Sequence, residues 1–383
     1  MKKSLIALAV LAAAGSASAQ SSVTLFGIVD ATIQRVDNRG GGTITRLTNS
    51  GYNSSRLGFR GTEDLGGGMS ASFWLEAGLA NDDGQGAATN SNNQPTGTGA
   101  AVAGRQGLTF NRRSTVSLAG GWGEVRLGRD YTPQFWNLTV FDPFGTNGTG
   151  TTQTLNGVSI PLAGLVPGGA AAAAAFPGSI YSTQVRASNS IGYFLPGNLG
   201  GFYGQLQYYM GENDDTSPIE DAGRGAGLRL GYAAGPINVA VALSRTDFGA
   251  GTITGDITTA NIGAQWDFGF AKLMAHYNRD TVEAGGAEAD INGFLVGALV
   301  PVGAGEIRVS YSQSELDAGT EPRSRKLALG YVHNLSKRTA LYTTYARVRN
   351  NGGANSSAVP GAATAPTAGS ASNGFDLGVR HSF

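Results

Sequence analysis

Polar and apolar side chains alternate along most of this chain, and no long apolar stretch follows the first twenty residues. Near the end, Phe375, Leu377 and Val379 fall on one face of an extended segment. Asp376 and Arg380 fall on the other face. Alternation with a period of two is typical of β-strands that have one apolar face. The pattern recurs at 23–34, 228–233, 237–244 and 306–311, so we predict an all-β protein.

The N-terminus has the features of a secretory signal. Lys2 and Lys3 precede an apolar stretch at 4–14, and small residues at 17–19 form a cleavage motif. We predict that residues 1–19 are a cleaved signal peptide and that residues 20–383 form one domain. No later stretch reaches the roughly 18 apolar residues of a transmembrane helix. Because backbone groups in lipid must be paired internally, a membrane location would require a closed barrel.

The composition argues against several classes of protein. Charged residues make up 14% of the chain, against roughly 25% in an average soluble domain. Lys and Arg together number 27, as do Asp and Glu, so no basic field indicates nucleic acid binding. There is no Cys, and the three His do not have metal-binding or catalytic spacing. We therefore expect no catalytic residues, no metal and no cofactor, and we do not expect an enzyme.

Short turns that carry Gly or Pro alternate with longer polar connections. Seven of the first kind and eight of the second predict sixteen antiparallel strands, with the long connections at one rim. The longest connection covers 131–180, and others cover 247–255, 281–290 and 315–323. Sixteen strands enclose an aqueous channel, whereas about eight enclose only side chains. We therefore predict a transmembrane 16-stranded β-barrel with a wet lumen.

The alternation also predicts which charged side chains face the lumen. Leu57 and Phe59 belong to the apolar face, so Arg56 and Arg60 point inward. The inward arginines predicted in this way are Arg56, Arg60, Arg113, Arg126, Arg186, Arg229, Arg308 and Arg380. The inward acids are Asp30, Glu76, Glu124, Asp267, Glu306 and Asp376. The excess of arginine predicts a mild preference for anions.

Several motifs resemble the Gram-negative general porin family, in its betaproteobacterial branch. They are SVTLFGIVDA (22–31), SRLGFRGTEDLGGGMSASFWLE (55–76), GEVRLGRDYTP (123–133) and GVRHSF (378–383), among others. The resemblance implies a homotrimeric barrel in the outer membrane, through which small hydrophilic solutes diffuse passively. It also implies that the third long loop folds into the lumen and narrows it.

The resemblance further implies a pore constriction in which wall arginines face acids of the inward loop. The residues assigned to this constriction are Arg56, Arg60, Arg113, Arg126, Arg186, Glu76 and Asp142. Asp142 has an alternative role, which is to cap a short turn before Pro143. The tract Ala170–Ala175 departs from the family pattern and could be a helical turn or a flexible insert.

The resemblance implies further partners, and it leaves other functions open. The terminal Phe383 resembles the signal that the barrel assembly machinery reads, and the surroundings would be outer-membrane lipid and lipopolysaccharide. One alternative function is a channel dedicated to one substrate or anion. Another is a barrel for surface recognition or adhesion, although the loops rich in Gly, Ser, Thr and Ala offer little surface for it.

Overall fold

The computed structural model describes residues 22–93, 107–156, 182–250, 253–317, 319–359 and 361–383. The predicted signal peptide and the tract Ala170–Ala175 lie outside these residues. Within the described ranges, no helix has the length and apolar character needed to cross a membrane.

The described chain forms one antiparallel sheet that closes on itself. The strands are β1 (Ser22–Asn38), β2 (Gly42–Asn49), β3 (Arg56–Gly66), β4 (Met69–Ala80), β5 (Gln85–Gly86), β6 (Arg113–Gly120), β7 (Gly123–Tyr131), β8 (Arg186–Phe194), β9 (Phe202–Tyr209), β10 (Gly225–Ala234), β11 (Ile237–Ala250), β12 (Ile253–Asp267), β13 (Lys272–Ala284), β14 (Ala287–Val302), β15 (Gly305–Asp317), β16 (Arg323–Asn334), β17 (Thr339–Asn351) and β18 (Ser372–Ser382). The barrel wall counts sixteen strands, because β2 and β3 pair with successive parts of β1 and occupy one place in the wall, and β5 and β6 do the same beside β4.

Each wall strand pairs with the next one along the chain, and β1 closes the barrel by pairing with both β3 and β18. At the seam, the N–H of Gly27 donates to the carbonyl of Phe383, and the N–H of Phe383 donates to the carbonyl of Gly27, both at 3.1 Å. Closure leaves no free sheet edge, which a lipid environment requires. The predicted 16-stranded barrel is confirmed.

Three of the predicted long connections are shorter than the sequence indicates. At 247–255, 281–290 and 315–323 the strands continue, so that β11 ends at Ala250 and β12 begins at Ile253. Beyond the hydrocarbon layer both faces of a strand meet water, so the apolar alternation disappears while the hydrogen-bonded ladder goes on. The predicted loops were too long here because the alternation of apolar and polar residues marks only the part of a strand that lies in the membrane.

The two faces of the wall differ as the alternation predicts. On β11, the side chain of Val241 points outward and is 47% exposed, whereas its neighbour Ala242 points inward and is 1% exposed. On β18, Phe375 and Leu377 are exposed and Asp376 between them is buried. The apolar outer face is the surface that contacts hydrocarbon, and the inner face is packed by the segments described below.

We expect Val241→Arg to lower the free energy of unfolding by about 2–4 kcal/mol, because it places a guanidinium group on the lipid face near the middle of the bilayer. Urea unfolding in phospholipid vesicles measures this change. Val241→Ile is the matched control and should leave the stability close to wild type. Equal stability of both variants would contradict an outward position of this side chain.

Candidate functional site: the pore constriction

The described residues of the connection between β7 and β8 fold into the barrel, and we call this connection, residues 132–185, the inward loop. Its described parts contain helix α1 (Pro133–Val140), helix α2 (Gln153–Asn156) and helix α3 (Ser182–Val185). Asn137 of α1 donates to the carbonyl of Ala240 at 3.2 Å and to the Oδ1 of Asn261 at 2.9 Å. Its own Oδ1 accepts a hydrogen bond from Nε of Arg229. These wall residues have inward side chains, so the predicted inward fold of the third long loop is confirmed.

Glycines on the inner face of the wall make room for the inward loop. A Cβ atom added at Gly263 would lie 1.9 Å from Cδ2 of Phe141, and one at Gly297 would lie 2.7 Å from Cγ of Pro143. The other wall glycines that contact the loop in this way are Gly227, Gly293, Gly330 and Gly374. Any larger side chain at these positions would displace the loop into the lumen. The path of the loop is therefore encoded in the wall as well as in the loop.

Asp142 lies inside the inward loop rather than on its lumen surface. Its side chain is 3% exposed. Its Oδ1 accepts the N–H of Phe144 at 2.9 Å, and its Oδ2 accepts the N–H groups of Thr146 at 3.1 Å and Thr152 at 3.0 Å. Because the carboxylate is used by three backbone donors, this placement favours the turn-capping alternative over a charge that faces the wall arginines.

Polar residues of the wall hold the rest of the loop, and the sequence analysis did not single out all of them. Lys326 donates from Nζ to the carbonyl of Thr151 at 3.0 Å, and Oδ2 of Asp376 accepts the N–H of Thr149 at 2.8 Å. His276 lies within 3.3 Å of the hydroxyl of Thr152. Alternation could place these side chains inward, but their partners depend on the path of the loop.

A second segment, residues 50–55 before β3, also turns into the lumen. The N–H groups of Tyr52 and Asn53 donate to Oδ2 of Asp30 at 2.9 and 2.7 Å. The hydroxyl of Ser54 donates to Oδ1 of Asn147 at 2.6 Å. This contact joins the segment to the inward loop, so two connections from the long-loop rim meet inside the barrel.

Five arginines gather on the wall formed by β3, β4, β6, β7 and β8, and we call Arg56, Arg112, Arg113, Arg126 and Arg186 the arginine cluster. Glu76 holds two of them, because its Oε1 accepts from Nε of Arg112 at 2.6 Å and from Nη1 of Arg56 at 3.2 Å. Its Oε2 accepts from the indole of Trp74 at 3.0 Å. Glu76 is therefore a partner of the arginines rather than a free charge in the lumen.

Two further acids, Asp130 and Glu124, bind Arg126 and Arg113 of the arginine cluster. Arg126 forms ion pairs with Asp130 at 2.6 Å and with Glu124 at 2.9 Å. Nε of Arg113 lies 3.6 Å from Oδ2 of the same Asp130. The guanidinium carbon of Arg113 also lies 4.6 Å from the ring centroid of Trp74, a cation–π contact.

The other two contacts of the arginine cluster are made by Arg112 and Arg186 to one tyrosine, Tyr131. Nη2 of Arg112 donates to the hydroxyl of Tyr131 at 2.7 Å, and Nη2 of Arg186 donates to it at 3.1 Å. Arg186 also lies over the ring of Tyr131 at 4.6 Å. Sequence reasoning missed Arg112, because it precedes β6 and strand alternation is not yet enforced there. It reaches the lumen next to Arg113, although adjacent strand residues point to opposite faces.

Arg60 lies on the same wall and is more open to the lumen. Its guanidinium carbon is 5.1 Å from the ring centroid of Trp74 and 5.3 Å from that of Phe26. No ion pair to Arg60 is found in the part of the chain that the structure describes. Arg60 therefore adds a positive charge that no neighbouring carboxylate neutralises.

The charges around the constriction do not cancel. Four of the five arginines in the cluster pair with the three carboxylates Glu76, Glu124 and Asp130, and Arg186 binds Tyr131 instead, so the cluster and its acids have a formal charge of +2. Within 132–156 and 182–185, Asp142 is the only acid of the inward loop, and backbone donors occupy it. The paired N–H donors of fixed guanidinium groups match pairs of oxygens on carboxylates and phosphates, so this lumen favours anions.

Known proteins share both the sequence and the fold. Residues 5–353 match the sequence profile of a family described as Gram-negative porin. The chain is 38% identical to outer membrane porin protein 32 of Delftia acidovorans, with all of both chains covered. It is 28% identical to an outer membrane porin protein of Bordetella pertussis, over 91% of this chain and 95% of that one. A solved anion-selective porin from Comamonas acidovorans superposes with a TM-score of 0.79 at 34% identity, covering 95% of this chain and 100% of that one.

We expect Gly263→Ala to disturb the inward loop, because the new methyl group would overlap the ring of Phe141. Single-channel recording should show an altered conductance and a noisier open state. Gly121→Ala is the control, since a Cβ at Gly121 meets no atom within 4 Å. Currents that are alike in both variants and the wild type would show that the loop does not rest on this glycine.

We expect Asp142→Asn to loosen the same loop by about 1–3 kcal/mol, because an amide has one acceptor oxygen and leaves at least one buried N–H without a partner. Faster cleavage of the loop by added protease, together with noisier single-channel current, would show this. Asp317→Asn removes a charge at an exposed position that has no side-chain hydrogen bond in the described chain. If both variants behaved alike, a capping role for Asp142 would be wrong.

Proposed function

This chain belongs to the Gram-negative porin family, and on that premise we propose that its pore passes small hydrophilic solutes and ions by passive diffusion, with a mild preference for anions. It is a β-barrel channel of the outer membrane. The size of the barrel supports a water-filled lumen, since sixteen strands leave an aqueous passage.

One observation carries the proposed anion preference. The arginine cluster retains a formal charge of +2 after pairing with its acids, and the acid of the described inward loop does not face it. A positive wall in a narrow lumen attracts anions and repels cations at short range. The likeness to the anion-selective porin from Comamonas acidovorans supports the same preference.

The same geometry supports exclusion of apolar solutes. Guanidinium groups along one wall and the inward loop along the other create a field across the lumen. Water ordered in this field would have to be displaced by an apolar solute that cannot replace its hydrogen bonds. Small polar solutes can replace those bonds, so we infer that polarity and size, rather than a fitted site, govern passage.

A channel dedicated to one anion is the second candidate. Arg112 and Arg186 favour this candidate. Their guanidinium groups converge on the hydroxyl of Tyr131, and a guanidinium group can bind both oxygens of one carboxylate. Current that saturates with one anion at micromolar concentration would support the dedicated channel. Current that rises linearly with salt would support the general one.

Three further assignments rest on the family resemblance. We propose that the channel is a homotrimer, that the barrel assembly machinery recognises the C-terminal Phe383, and that lipopolysaccharide surrounds the outer rim. The exposed Phe383 at the seam supports the second of these. We also propose that the chain is not an enzyme, in keeping with the channel function of its relatives.

We expect Arg60→Glu to move the reversal potential in a KCl gradient toward cations, because it replaces an unneutralised positive charge in the lumen with a negative one. The ratio of anion to cation permeability should fall by roughly twofold or more. Planar-bilayer recording measures it without disturbing an ion pair of the arginine cluster.

Arg347→Glu is the matched control, since Arg347 is an exposed arginine on the outer face of β17. Its reversal potential should stay close to wild type. A wild-type channel without anion preference would overturn the proposed selectivity. An equal shift in both variants would show that selectivity depends on overall charge rather than on the lumen.

A further inference from the structure

Two inward arginines lie on the wall away from the arginine cluster, close to the short-turn rim. Arg308 is the third residue after β15 begins at Gly305, and Arg380 precedes the end of β18 at Ser382 by two residues. Because β15 begins and β18 ends at the short-turn rim, both guanidinium groups lie in the half of the lumen next to that rim.

A single tyrosine ring positions both of these arginines. The guanidinium carbons of Arg308 and Arg380 lie 4.4 and 5.1 Å from the ring centroid of Tyr52. Nη2 of Arg308 also donates to the hydroxyl of Tyr52 at 3.0 Å. The ring packs on Tyr342 with a centroid distance of 5.6 Å, and the N–H of Tyr52 is bound by Asp30. The tyrosine is therefore fixed, and both guanidinium groups lie against its ring.

Of the two nearby carboxylates, only Glu306 binds a member of this pair. Glu306 accepts a hydrogen bond from Nε of Arg308 at 2.9 Å. Asp30 lies opposite Arg380 in the strand register, but its oxygens accept from the hydroxyl of Tyr342 and from backbone N–H groups. In the described chain Arg380 has no ion pair, and its buried Nε has no hydrogen-bond partner.

We propose that Arg308 and Arg380, held by Tyr52, form a second anion-binding site on the wall of β15 and β18, in the short-turn half of the lumen. It takes small anions that carry a carboxylate or phosphate group, because paired guanidinium forks match their oxygens. The inference rests on the proposed anion-conducting function and adds a site separate from the arginine cluster.

Block of chloride current by inorganic phosphate tests this site. Wild-type channels in a planar bilayer carry KCl current while potassium phosphate is added to each side in turn. We expect phosphate to block more strongly from the short-turn side than from the long-loop side. The double variant Arg308→Gln with Arg380→Gln should weaken the block from the short-turn side by about fivefold. Block from the other side and the sign of the reversal potential should change little.

Two further variants separate the site from a general effect of charge or folding. Arg347→Gln with Arg349→Gln removes two exposed arginines from the outer face of β17 and should leave phosphate block unchanged. Tyr52→Phe keeps the ring and should retain most of the block, whereas Tyr52→Leu should lose it. Retarded migration of unheated samples in gel electrophoresis checks that each variant is folded.

The outcomes bear on the two proposals separately. Phosphate block that is absent in the wild type, or equal in the wild type and the Arg308–Arg380 double variant, overturns the second site even where the channel prefers anions. A wild-type channel that lacks anion preference in a KCl gradient overturns the proposed function. Weaker block in the double variant, with the selectivity of the constriction retained, supports the second site.

Discussion

Every backbone donor and acceptor that lies in hydrocarbon must find a partner within the protein, and the rest of this structure depends on that constraint. It is met by closing the sheet between β1 and β18, where Gly27 and Phe383 exchange two hydrogen bonds. Closure fixes the direction of every side chain, so alternate residues meet lipid and the others meet the lumen. An apolar outer face therefore comes with an inner face that is free to carry charge.

The inner face uses its acids and its bases differently. Asp30, Asp142 and Asp376 each accept backbone N–H groups of segments that fold into the lumen. These carboxylates hold the loops in place, because their oxygens accept hydrogen bonds from the loop backbone. The acids that remain, such as Glu76 and Asp130, bind arginines but are outnumbered by them. The arginine cluster keeps a positive charge because only three carboxylates pair with its five arginines.

The sequence predicts the barrel and its inward arginines because alternation is a local property. The contact between Gly263 and Phe141 and the turn that Asp142 caps do not follow from alternation, since they depend on how residues 132–156 run inside the lumen. Arg112 escaped prediction because it precedes a strand, where direction is not set by alternation. The extended ends of β11 to β16 escaped it because both faces are polar there. Sequence patterns thus report contact with lipid more faithfully than contact within the lumen.

The wall glycines link the fold to selectivity. Gly263 and Gly297 let the inward loop approach the wall of β12 to β14, so the loop leaves the opposite wall of arginines open to the passage. A bulkier residue at either glycine would push the loop toward those arginines and narrow the passage. Phe141 and Pro143, which contact these glycines, flank Asp142, so the same displacement would strain the turn that Asp142 caps. The width and the charge of the pore are therefore coupled, because one loop position sets both.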